Sequence, residues 1–146
     1  MKNFINKVKK DGAGFTLIEL LIVVAIIGVL ATLLMANFIG VRQRARDAQR
    51  KSDLRQIQSA LEIYRADNSS YALSLPSCGL PFVYNGTTYM QKVPCDALGG
   101  SYAFSSAGTT YLITACLENT NDSQKDTANV PPCNGTTNWS YTVQNP

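Results

Sequence analysis

The sequence predicts an α+β protein in which one long N-terminal α-helix, about residues 15–66, packs on a small antiparallel β-sheet. Three observations carry this. From Phe15 to Ile39 the only strongly polar side chains are Glu19 and Asn37, and from Val41 to Ala66 no proline or glycine interrupts a run of strong helix formers. Within that second stretch Leu54, Ile57, Leu61 and Tyr64 recur at helical spacing as a narrow apolar stripe, with Ala45 and Ala48 offering small contacts before it. After Asp67 the composition shifts to short β-favouring runs separated by turn residues, with four cysteines among them.

The chain begins with a short basic stretch, residues 1–14, carrying Lys2, Lys7, Lys9 and Lys10 against Asp11. That stretch holds the whole formal net charge of +3, and the remainder is balanced. The apolar run Phe15 to Ile39, within a span of about residues 15–40, makes a helix of ~37 Å, longer than the ~30 Å hydrocarbon layer of a bilayer. It is expected to span a membrane. A cleaved secretory signal fits poorly, because its small residues should follow the apolar region, whereas Gly12, Ala13 and Gly14 precede this one. An uncleaved anchor is the more credible of the ordinary alternatives.

Residues 41–68 continue the helix as an amphipathic half, closed by the turn formers of "DNSS". Its arginines and lysine, Arg42 to Arg65, are interleaved with Asp47, Asp53 and Glu62, and Asp47 and Lys51 stand at i, i+4. A solvated, self-paired face is therefore expected rather than a nucleic-acid or lipid surface. No aromatic cluster accompanies the arginines, which makes nucleic acid an unlikely partner.

Residues 69–146 form the β-rich part. "FVYNGTTYM" predicts a hairpin turning at Asn85-Gly86, "SYAFSSA" and "TTYLITACLE" predict two strands around Gly108, and "NWSYTV" predicts a last one. Between them Asn119 to Asn138 reads as a polar loop. A domain this small has a thin core of its own, so packing on the helix stripe and covalent bridges are expected to hold it. Cys78, Cys95, Cys116 and Cys133, an even number with no histidine and no Cys-x-x-Cys spacing, point to two disulfides outside the cytosol. Cys78–Cys95 and Cys116–Cys133 are preferred because each closes a local loop of equal length; the other two pairings stay open.

Several chemistries are disfavoured. Gly12-x-Gly14 follows no strand and lacks the remaining features of a phosphate loop. Without histidine, Ser-His and Cys-His nucleophile activation is impossible. Asp96, Glu118, Asp122 and Asp126 stand singly in polar segments, so no paired acid/base site is expected, and Asp122 with Asp126 does not make a calcium-loop pattern. No catalytic residue, metal or cofactor is assigned. The five Asn-x-Ser/Thr triplets are what chance supplies in so Asn-, Ser- and Thr-rich a chain.

Glu19 needs an explanation. A charged group in hydrocarbon costs on the order of 3 kcal/mol on insertion scales. The plain account is that it lies one turn from Phe15 and snorkels to the interface, or favours the positive end of the helix dipole. The sharper account is pairing: a cut between Gly14 and Phe15 creates an α-amine, largely cationic at neutral pH, beside the carboxylate.

"KKDGAG" followed by "FTLIELLIVVAIIGVLATLL" resembles the class III leader and N-terminal segment of type IV pilins and of the pseudopilins of type II secretion. The likeness rests on Gly14, Phe15, Thr16, Leu17, Ile18 and Glu19 and continues through the helix to about residue 71. It implies the pilin fold and no enzymatic activity. It implies a prepilin peptidase that removes residues 1–14 and methylates the amine of Phe15, and pairing of Glu19 with the Phe15 amine of a neighbouring subunit. It further implies a filament core built from Leu17 to Leu34, an inner-membrane assembly platform, and a precursor with its N-terminus in the cytoplasm. The expected function is a type IV pilus-like filament subunit, made of like or related pilins; the alternatives are a type II secretion pseudopilin, or a membrane-anchored binding module such as an adhesive or DNA-uptake minor pilin. Two departures stand out. Many relatives carry a proline late in the apolar half, where "LLMANFIG" has none and leaves Gly28 and Gly40 as soft points. The calcium-binding C-terminal loop of major pseudopilins is not evident in "NWSYTVQNP", and four cysteines are more pilin-like.

Overall fold

The computed structural model describes residues 14–146, with the side chains of Ala36 and Asn37 left aside. One helix, α1 (Leu17–Asn68), precedes five strands: β1 (Phe82–Tyr84), β2 (Thr87–Met90), β3 (Ala103–Ser106), β4 (Tyr111–Leu117) and β5 (Trp139–Gln144). The chain divides into two units, one ending at Phe38 and the other running Ile39–Pro146. In the first, every side chain described from Gly14 to Met35 is exposed, including the whole apolar stretch Leu17–Met35. That stretch is long and apolar enough to cross a membrane.

In the second unit the stripe read from the sequence is the inner face of α1: Leu54, Ile57, Leu61 and Tyr64 are all buried. They join Tyr71, Phe82, Val93, Tyr111, Ile113, Ala115 and Val143 in one core. β4 lies between β3 and β5, all antiparallel, and its period-2 pattern places Tyr111, Ile113, Ala115 and Leu117 inside. Ala45 and Ala48, expected as contacts, are exposed; the buried positions one and two turns before Leu54 are Arg50 and Asp47 instead.

The helix ends two residues later than expected. Ser69 takes the left-handed conformation (φ 59°) and its N–H bonds the Arg65 carbonyl at 2.8 Å, the closure usually given to glycine. The Asn85-Gly86 turn has both residues at positive φ, which lets the tight hairpin keep the strand twist. The strands divide into two sheets, β1–β2 and β3–β4–β5. After β2 the chain folds back on the segment before β1, where Val93 N–H bonds Leu80 O and Gly79 N–H bonds Val93 O, so the hairpin has no neighbour in β3. It is anchored by rings instead: Tyr64 lies 5.4 Å from Phe82 and 5.1 Å from Tyr89.

Cys78–Cys95 and Cys116–Cys133 are bonded, each across a separation of 17 residues. A loop of this size is worth ~3 kcal/mol by the chain-entropy account. The 119–138 loop is further held to β5 through Asp126, whose Oδ1 accepts the N–H and hydroxyl of Thr142, and through Asn129, whose Oδ1 accepts the Ser140 N–H.

Candidate functional site

Two groups of residues stand out, one at the start of α1 and one along its second half. At the start, Gly14, Phe15 and Thr16 are exposed, non-helical backbone just before Leu17. Thr16 caps the helix. Its hydroxyl oxygen accepts the Glu19 N–H at 3.3 Å, while the Glu19 carboxylate accepts the Thr16 N–H at 2.9 Å and the Thr16 hydroxyl at 2.8 Å. This is a reciprocal capping box, which satisfies donors that hydrocarbon would leave unpaired. Within the single chain, then, Glu19 already has a local partner. The T-x-x-E spacing of Thr16 and Glu19 is the sequence signature of this box, alongside the snorkelling and dipole accounts of Glu19.

Along the second half, Asp47, Arg50 and Asp53 are buried charges. The Arg50 guanidinium reaches three carboxylates from different parts of the fold: Asp47 at 2.8 Å, Glu118 at 2.8 Å, and Asp96 in a fork at 2.5 and 3.0 Å. Arg46 reaches the same Glu118 through Nε at 2.7 Å. Asp47 in turn accepts the backbone N–H groups of Glu118 and Asn119 at 2.9 and 2.8 Å, which ties the end of β4 to the helix. Asp53 accepts the Tyr102 hydroxyl at 2.7 Å, and Lys51 reaches Asp122 at 2.6 Å. The self-paired, solvated face expected for this segment is corrected in part: Asp47 pairs within the helix with Arg50 rather than Lys51, and three of the acids read as standing singly, Asp96, Glu118 and Asp122, converge on Arg46, Arg50 and Lys51. The reason is geometric. Positions 47, 50, 54, 57, 61 and 64 alternate steps of three and four, one continuous inward stripe whose first two places are polar.

The charges respond as such a cluster should. The guanidiniums of Arg46 and Arg50 hold Glu118 down, from 4.5 to about 2, against the opposing effect of burial. Burial raises Asp96, yet the Arg50 fork and the Leu98 N–H outweigh it and leave it lowered. Burial and the Asp53 carboxylate push the Tyr102 hydroxyl upward. Because the folded Glu118 sits below its unfolded value, the stability it adds is complete above pH 4.5 and drains away as pH falls toward 2, with Asp96 acting in the same direction. Urea titrations are expected to give a midpoint that drops between pH 4.5 and 2, and a Glu118→Gln variant is expected to start lower and drop less steeply.

Comparison with known proteins bears on both groups. Residues 9–35 match the family model described as the prokaryotic N-terminal methylation motif. The chain is 34% identical over 107 residues to the type II secretion system core protein G of Escherichia coli K12, covering 65% of this chain and 72% of the relative. It is 35% identical over 106 residues to that of Klebsiella pneumoniae, 65% and 75% covered, and 32% over 111 residues to that of Pseudomonas aeruginosa, 69% and 78% covered. The chain belongs to the core protein G family of pseudopilins. No solved structure matches it. The broad expectation of a pilin-like subunit holds, and the relatives favour the pseudopilin alternative over the type IV pilus placed first.

In this pseudopilin the leader expected over residues 1–14 lies, except for Gly14, outside the described residues. A calcium site in the 119–138 loop is poorly provided for. Asp122 Oδ1 is taken by the Lys51 ammonium at 2.6 Å and the Gln124 N–H at 2.8 Å, and Asp126 Oδ1 by Thr142. The Asp126 Oδ2 is buried and without a hydrogen-bond partner, but among the described residues no three acidic, cysteine or histidine side chains gather into a cation shell. The four cysteines stand in their two bonds, so none is a candidate nucleophile.

Proposed function

We propose that this pseudopilin is the repeating structural subunit of a type II secretion pseudopilus. Its precursor is anchored in the inner membrane by Leu17–Met35, with the leader in the cytoplasm and residues 69–146 outside it. A prepilin peptidase cuts between Gly14 and Phe15 and methylates the new amine. The assembly platform then draws the subunit out of the lipid into a helical polymer.

The observation that carries this reading is the apolar stretch Leu17–Met35 behind the GFTLIE motif, none of which is buried within the chain. A nineteen-residue stretch, apolar except for Glu19 and Thr32 and without intramolecular cover, requires lipid or other helices, and a subunit that exchanges the first for the second needs both. Glu19 fits the exchange. In lipid its carboxylate is satisfied by Thr16, and in a polymer the amine of an adjacent Phe15 supplies a full counter-charge. Arg42, Arg44 and Arg46 just beyond the span weaken the charge asymmetry that sets orientation, so the lysines of the leader have to outweigh them.

Filaments sheared from cells expressing the chain with its own secretion genes test this. They are expected to contain it as the principal component; sheared fractions that lack it, while the membranes hold it, would contradict the proposal.

A further inference from the structure

The charge cluster leaves a remainder. Of the basic residues between Arg42 and Arg65, Arg46, Arg50 and Lys51 are taken by carboxylates and Arg65 by the Tyr71 hydroxyl. Arg44 and Arg55 are exposed and make no ion pair or hydrogen bond through their side chains among the described residues. They are eleven residues apart, three turns, so both lie on one line along α1. With Lys51, Ser52, Gln56 and Gln124 they line a groove of about 620 Å³ between α1 and the 119–124 segment. Its one acid, Asp122, is already engaged by Lys51. The groove is cationic and unfilled by the chain's own side chains.

The carboxylates leave a remainder too. Asp47, Asp53, Asp96, Glu118 and Asp122 are spoken for, Glu62 accepts the hydroxyls of Tyr71 and Tyr111, and Asp126 faces β5. Asp67, in the last turn of α1, is exposed and has no partner among the described residues. Asp67 is therefore an exposed anion whose charge complements the exposed cations of the groove.

We propose that Asp67 of one subunit seats in the Arg44–Arg55 groove of another copy of this chain. Helical geometry suits it. Asp67 is ~18 Å beyond Arg55 and ~35 Å beyond Arg44 along the axis, and ~120–140° around it. The two patches therefore face different ways on one molecule and cannot satisfy each other within it. A contact between two different patches of identical chains is head-to-tail, and repeated without closure it generates a helical filament rather than a closed dimer. Lys92 is a further exposed cation, but it does not line this groove.

This contact rests on the filament reading, and the test separates the two. Filament yield is measured in cells for the native chain, for Asp67→Lys, for Arg44→Glu/Arg55→Glu, and for all three substitutions together, with thermal unfolding of each purified full chain as the folding control. Since these side chains make no ion pair or hydrogen bond within the subunit among the described residues, the unfolding curves are expected to coincide. Each reversal is expected to lower filament yield about tenfold through like-charge opposition, and the combination to restore most of it. Full yield from Asp67→Lys, or a triple variant as deficient as its parents while folded, would overturn the contact and leave the filament reading standing. Absence of filaments from the native chain would overturn both. Weaker binding to phosphatidylglycerol-containing vesicles by Arg44→Glu/Arg55→Glu alone, with Asp67→Lys normal throughout, would assign the groove to lipid phosphate and overturn the contact as well.

Discussion

Replacing Arg50 with methionine is expected to lower the unfolding free energy of this pseudopilin by ~3–5 kcal/mol, a large fraction of what a small domain has. The side chain is only 3% exposed, and it is the common partner of Asp47, Asp96 and Glu118. Methionine fills much the same volume, so the loss comes from three carboxylates deprived of their counter-charge in a poorly solvated place, not from a cavity. Two of them hold distant chain: Asp96 in the segment before β3, and Glu118 at the end of β4 where Asp47 also takes the backbone. Arg50→Lys should recover little, because one ammonium cannot fork to Asp96 while reaching Asp47 and Glu118. Arg46→Met serves as the comparison. It is 31% exposed and shares Glu118 with Arg50, so a much smaller loss than that of Arg50→Met is expected. Urea unfolding of the detergent-solubilised chain measures all three. Equal, small losses for Arg50→Met and Arg46→Met would mean that the cluster is not the clamp described.

Glu19→Ala carries the second large effect: the variant is expected to insert into the membrane as well as the native chain and to yield no filaments. Removing the carboxylate removes a costly group from the span, so insertion has nothing to lose. Assembly, on the pairing account, loses the counter-charge of the Phe15 amine. The capping box complicates a simple deletion, since alanine also strips Thr16 of its acceptor. Glu19→Gln resolves this. Glutamine serves at the same place in a capping box but carries no charge. If the charge pair drives assembly, Glu19→Gln fails as Glu19→Ala does. If Glu19→Gln assembles normally, the carboxylate matters only as a cap, and the pairing role is wrong.

The parts of this fold written in periodicity and turn chemistry were readable. The α1 stripe from Leu54 to Tyr64, the Asn85-Gly86 hairpin, and the strand positions around Gly108 and after Asn138 all follow from local rules that need no partner. Arg50 and its carboxylates follow no local rule. Asp96 and Glu118 are 46 and 68 residues away in sequence, and nothing near either says which cation it meets. A stripe sought only in apolar residues stops at Leu54, although the three-four spacing runs on to Arg50 and Asp47. Splitting of the strands into two sheets was equally hidden, because it depends on where residues 91–102 turn back. Of the helix tip, GFTLIE made Gly14, Phe15 and Glu19 legible by resemblance. Thr16 is legible by chemistry, from its T-x-x-E spacing to Glu19.

The most direct test of the central claim is an intact mass with N-terminal sequencing of the protein taken from its native membrane. A chain beginning at Phe15, heavier than the unmodified 15–146 sequence by one methyl group on its α-amine, is the expected result. A chain that begins at unmodified Met1 would contradict it.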